Sequence, residues 1–152
     1  MKKYKKIIFT GTSAGGFPSL KFASFFNAIA IISNSQLYIE NYLTNTGCTS
    51  INWISYVDDE IIYKDKMIEN IILKSKPKQI IYYQNKKDTN TNWHNSYEDF
   101  LQFKLFIEQN KLDDICEFKL FNYNNKYKIP HSVQFPNNNK HIDILCDFLS
   151  NN

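Results

Sequence analysis

With 152 residues, 43% apolar and 22% charged, the chain has the length and balance of one globular domain, which excludes a disordered polypeptide. The net charge of +3 comes entirely from lysine, and the absence of arginine argues against nucleic-acid binding, where bidentate contacts to guanine and phosphate are the rule. No apolar run approaches the roughly 20 residues of a membrane span, and the apolar part of the basic start MKKYKKIIFTG is too short for a signal peptide, so a cytoplasmic protein is expected. Cys48, Cys116 and Cys146 are odd in number and lack paired spacing, which predicts neither a disulfide framework nor a metal site, and no cofactor is expected.

Short apolar runs alternate with amphipathic stretches, the pattern of an α/β sheet. Lys5–Thr10 reads as a strand closed by Gly11, and Phe17–Phe26 as the helix after it. Ala28–Ile32 is apolar at every position, as a parallel strand covered on both faces should be. A polar, irregular connection over Ser33–Asp59 carries Trp53 and Tyr56. Met67, Ile68, Ile71 and Ile72 then stand at helical spacing, and Pro77 marks that helix as finished. Gln79–Tyr83 is a third strand, Gln84–Asn95 a loop, Tyr97–Gln109 a helix, Cys116–Tyr123 a fourth strand and His141–Leu149 a closing helix. The fold class expected is α/β: a single domain over 1–152 with a mostly parallel sheet of about four strands and flanking helices.

One motif bears chemistry. Gly11-Thr12-Ser13-Ala14-Gly15 is a G-x-S-x-G sequence that leaves a strand and opens directly onto a helix, the context a nucleophile elbow requires. Such a sharp turn strains the serine and brings backbones together, so glycines at 11 and 15 are expected to avoid clashes. The Ala14 N–H would donate to an oxyanion. The same residues would also suit a glycine-rich turn with a capping serine. Phosphate-loop readings fit poorly: no Lys-Ser/Thr pair follows Gly16, and Ser13 occupies the second glycine's place in the dinucleotide pattern.

A nucleophilic serine needs a base, and the base an orienting acid. Asp88 falls in the loop after the third strand and His131 shortly after the fourth, the order in which α/β-hydrolases place acid and histidine. Competing positions are bland. Asp58 and Asp59 suit the first turn of a helix, His94 would line the site or face solvent, and His141 opens the last helix.

Around Ser13, Asp88 and His131 the chain resembles the C-terminal half of an α/β-hydrolase, and is most similar to hydrolase-like proteins associated with bacterial surface polysaccharides. The stretches FTGTSAGGFPSLKFASFFNA, QIIYYQNKKDTNTNWHNSYEDFL and IPHSVQFP carry the resemblance. SNSQLYIENY resembles a glutamine-containing stretch of such proteins, which implies a place for Gln36 near the site. The resemblance implies a serine hydrolase or acyltransferase working on a carboxylic ester or acylated glycan through acyl-Ser13, with Trp93 and His94 as further substrate-binding positions. Trp53, Tyr56 and Trp93 would offer stacking surfaces. Pro130 departs from the glycine often found before the histidine.

Only twelve residues precede Ser13, so the usual N-terminal strands, and the loop carrying a second oxyanion donor, are expected to be missing. The edge of the first strand would then need a partner chain or another copy. The alternative expectation is a non-catalytic, truncated hydrolase-like module that binds a partner chain or glycan. A flavodoxin-like nucleotide binder is a weaker third.

Overall fold

Four parallel strands lie in the order in which the chain writes them, β1 (Ile8–Thr12), β2 (Ile29–Ser33), β3 (Gln79–Asn85) and β4 (Cys116–Phe121). The computed structural model describes residues 6–38, 67–89, 95–123, 130–136 and 140–150. Between the strands stand α1 (Gly16–Phe25), α2 (Met67–Lys74) and α3 (Ser96–Gln109), and α4 (His141–Ser150) closes the chain. The expected α/β architecture is therefore the observed one. Among the described residues no helix is long and apolar enough to cross a membrane.

The two faces of the sheet follow from the period of two along a strand. Ala30 and Ile32 of β2 and Ile80 and Tyr82 of β3 point to one side, where they pack with Leu20 and Ala23 of α1, Ile68 and Ile72 of α2 and Phe100, Phe103 and Ile107 of α3. Ile29, Ile31, Ile81 and Tyr83 point to the other, against Val133, Phe135 and Ile144. Aromatic contacts key the first layer: Tyr82 meets Phe100 edge-on at 5.3 Å between ring centroids, and Phe100 meets Phe118 edge-on at 5.4 Å. All five residues of β2 are buried, which explains the apolar run from Ala28 to Ile32.

Two boundaries differ from the sequence expectation in ways that matter for function. The first strand runs on through Gly11 and Thr12, which pair with Ile32 and Ser33, so the strand delivers the chain straight into the elbow. The third strand continues past Tyr83 through Gln84 and Asn85, in register with Leu120 and Phe121. Both polar residues are buried there, Gln84 bonded through its amide nitrogen and Asn85 through both ends of its carboxamide.

At β1 the sheet is hydrogen-bonded only toward β2 among the described strands. Phe9 stacks on Phe22 and Phe26 beside it, with centroids 6.0 and 5.9 Å apart. Phe22, Phe25, Phe26 and Ile7 remain exposed around this edge.

Candidate functional site

The elbow is a single 3-10 turn, Ser13–Gly15, wedged between β1 and α1. Ser13 adopts φ 52°, the left-handed region that a side chain enters at a cost of about 1–2 kcal/mol. Close packing around the turn explains the glycines, although one differs from expectation. A Cβ on Gly11 would stand 2.1 Å from the Gly15 carbonyl oxygen and 2.5 Å from Ser19 Oγ, and one on Gly16 would stand 2.0 Å from Ser35 Oγ. Gly15, expected to need its bare backbone, has open space where a Cβ would go. The Ser19 hydroxyl that crowds Gly11 donates to the Gly15 carbonyl at 2.8 Å, tying the turn to the first helical turn.

Asp88 and His131 come to the same edge from the ends of β3 and β4. Asp88 N–H donates to the Asn85 carbonyl at 3.1 Å, and the Asp88 carbonyl accepts from Tyr97 N–H at 3.3 Å. These bonds turn the chain back so that the buried carboxylate faces the site. His131 sits in a short 3-10 turn, Pro130–Ser132. Its Nδ1 lies 2.7 Å from Asp88 Oδ2, and its Nε2 lies 2.8 Å from Ser13 Oγ. With Nδ1–H donating to the carboxylate, Nε2 is the acceptor for the Ser13 hydroxyl. The three residues singled out in the sequence thus form one hydrogen-bonded line, with the histidine about one-fifth exposed and the carboxylate sealed.

The histidine turn is clamped by residues that sequence reasoning passed over. Asn34, directly after β2, donates from Nδ2 to the Val133 carbonyl at 3.0 Å and the His131 carbonyl at 3.4 Å, while its Oδ1 accepts Asn85 N–H at 2.9 Å. Asn85, at the end of β3, donates to the Pro130 carbonyl at 3.1 Å and accepts Lys87 N–H at 3.1 Å. Ser33 donates to the Gln134 carbonyl. A carboxamide suits both places because it donates to a carbonyl with its nitrogen and accepts an amide proton with its oxygen. Asn34 also holds φ 42°, a conformation asparagine tolerates better than most residues. The available signal was a polar residue at the end of each apolar strand, where periodicity alone reads a loop. Pro130 fits because this clamp uses its carbonyl, and proline lacks only the N–H.

Behind the elbow, the segment after β2 is pinned on both flanks. Gln36 N–H donates to the Ser13 carbonyl at 3.0 Å, which brings Gln36 beside the elbow through its backbone. Asp99 Oδ2 accepts from the N–H groups of Leu37 and Tyr38 at 2.8 and 3.1 Å. The Tyr38 hydroxyl donates to Glu69 at 2.8 Å. Burial, reinforced by Glu69 and Asp99, drives the Tyr38 pKa far above the usual phenol value.

No family model matches this chain, and no curated protein or solved structure matches it either. The geometry therefore stands on its own residues. Ala14 follows Ser13 within the half-buried turn. Trp93, His94, Trp53, Tyr56, Asp58, Asp59 and Cys48 lie outside the described residues. Among the described residues no group of three His, Cys, Asp or Glu side chains converges as a metal site would.

Proposed function

We propose that the chain is a serine hydrolase of the α/β-hydrolase kind, cleaving a carboxylic ester or an acylated glycan through an acyl-Ser13 intermediate. The observation that carries this reading is the line from Ser13 Oγ to His131 Nε2 and from His131 Nδ1 to Asp88, with the serine held left-handed at the strand-to-helix turn. A triad is recognised by this mutual geometry, nucleophile to base and base to orienting acid.

In the proposed cycle Ser13 Oγ attacks the acyl carbon while its proton passes to His131 Nε2. The resulting imidazolium is stabilised and held in one tautomer by Asp88. The Ala14 N–H donates to the oxyanion, and the protonated histidine returns its proton to the leaving alkoxide. Water, or a sugar hydroxyl in a transferase, then repeats the sequence on the acyl-enzyme. No metal or cofactor takes part. Gln36, Trp93 and His94 are proposed as substrate-side residues, and the setting is cytoplasmic. The glycan ester is proposed as the substrate class solely on the resemblance drawn from the three site stretches in the sequence.

The test is intact-mass labelling with a fluorophosphonate. One adduct on the wild-type chain, absent from Ser13→Ala and His131→Ala, is the expected result. A folded wild-type chain that takes no adduct refutes the reading.

One surface favours a second reading. The exposed Phe22, Phe25, Phe26 and Ile7 beside β1 suit a non-catalytic module that docks a partner chain along that edge. This module predicts association that rises with concentration and is lost in Phe25→Glu, together with an unreactive Ser13.

A further inference from the structure

We propose that Gln84 and Ser96 are positioning residues that fix and weaken the acceptor oxygen Asp88 presents to His131. The inference rests on the hydrolase reading for its effect on reactivity, but the hydrogen-bond arrangement can be read independently of any activity.

Four buried groups form a chain with a defined direction. Gln84 Nε2 donates to the Asn85 carbonyl at 3.1 Å and to Ser96 Oγ at 3.1 Å. The Ser96 hydroxyl donates to Asp88 Oδ2, the same oxygen that faces His131 Nδ1. Gln84, Ser96 and Asp88 are all essentially inaccessible to solvent. A serine hydroxyl has one proton. Because the Gln84 amide nitrogen occupies an acceptor site of Ser96, that proton is left for Asp88. The Asn85 carbonyl in turn fixes which end of the Gln84 amide faces the serine.

Two further observations make this more than a buried hydrogen bond. Asp88 Oδ1, like Gln84 Oε1, is buried with no hydrogen-bond partner among the described residues, so the support found there for this carboxylate falls on the one oxygen shared by His131 and Ser96. Ser96 is the first residue of α3, where its hydroxyl would ordinarily be taken up by the helix end. That role is filled by Asn95, whose side chain accepts Glu98 N–H at 3.2 Å, which leaves the Ser96 hydroxyl for Asp88. Sharing Oδ2 between two donors makes it a weaker acceptor for each, while the Ser96 bond holds the carboxylate in the plane the imidazole needs.

Proton NMR of the whole chain tests this through the His131 Nδ1–H resonance, identified by its loss in His131→Asn. In Ser96→Ala the resonance is expected to move downfield, because Oδ2 keeps only the histidine. Fluorophosphonate labelling should slow by at least about tenfold as the carboxylate loses its second anchor. Gln84→Glu reverses the direction of the chain, drawing the Ser96 proton toward the new carboxylate, and should shift the resonance the same way. If alanine at this buried position unfolds the chain, Ser96→Cys, similar in size but a weak donor, should give a smaller downfield shift. A folded Ser96 variant whose resonance stays in place overturns the proposal, as does an upfield move in Gln84→Glu. A resonance that responds as expected in a chain whose Ser13 never labels supports the arrangement and refutes the hydrolase reading instead.

Discussion

Exchanging Gly11 and Gly15 of the elbow for alanine, one at a time, should have opposite consequences. At Gly11 the new methyl would lie 2.1 Å from the Gly15 carbonyl oxygen and 2.5 Å from its carbon, more than an ångström short of ordinary contact at the oxygen. Both atoms belong to the backbone of the turn, so the clash is relieved only by moving β1 away from the elbow. Overpacking of this kind costs about 3 kcal/mol or more, and at this chain length that lowers Tm by about 6–12 °C. Gly15 meets nothing within 4 Å at the Cβ position and has φ −70° and ψ −14°, a right-handed conformation alanine adopts freely. Gly15→Ala should therefore stabilise by roughly 0.4–1 kcal/mol through the unfolded chain, a rise of about 1–4 °C. Scanning calorimetry of the wild type and the two variants decides the matter. If Gly15→Ala melts as early as Gly11→Ala, the account of close packing at the elbow is refuted.

Further outcomes follow from other parts of the fold. Because Ser13 sits at φ 52°, Ser13→Gly should melt above Ser13→Ala, the gap corresponding to about 1 kcal/mol, while neither takes a fluorophosphonate; equal melting temperatures would count against a strained serine. Asn34→Asp keeps the shape but loses the donor to Val133 and His131, so it should destabilise by about 1–3 kcal/mol and slow labelling of Ser13; urea unfolding alongside labelling rates would show both or neither. Burial, with Asp113 and Glu117, pushes the Cys116 thiol well above its ordinary pKa, and burial does the same to the Tyr82 and Tyr38 hydroxyls. The folded chain keeps protons that the unfolded chain releases, so stability holds below about pH 8.5 and is lost as pH rises beyond it. The slope approaches about 1.4 kcal/mol per pH unit for each retained proton. Urea midpoints that stay constant from pH 7 to pH 10 would contradict this. At pH 8, iodoacetamide should modify the exposed Cys146 well before Cys116.

The sheet was legible because Ala28–Ile32 and Ile80–Tyr83 are unbroken apolar runs that form the centres of β2 and β3, and because a glycine-rich turn marks the passage from strand to helix. Ser13, Asp88 and His131 could be picked out because each follows a strand end, a position that strand order converts into proximity. What escaped was polar and buried. Gln84 and Asn85 read as the start of a loop by hydropathy, yet they complete β3, and their worth lies in partners far along the chain. Asn34 and Ser96 likewise carry no local pattern, since a carboxamide or hydroxyl becomes informative only when the carbonyl or carboxylate it meets is known. Gly15 was misread for a related reason: which glycine of a cluster is crowded depends on how the turn folds, with the Gly15 carbonyl and Ser19 against Gly11 and Ser35 against Gly16, and not on the pattern of letters.

Consecutive strands being neighbours has a consequence in time. The chain can add each strand beside the previous one, and the turn that carries Ser13 and the loop that carries Asp88 are tied by nearby residues: Ser19 bonds Gly15 four positions away, and Ser96 bonds Asp88 eight positions away. His131 is different: its turn is anchored to Asn34, 97 positions earlier, and its ring meets Ser13 across 118. Closing so long a loop is the slowest step entropically, and it rewards the chain only once β2 and β3 already present their ends. A refolding molecule would regain its sheet before its base, so that the serine waits at the edge, aligned but inert, until the last segment docks.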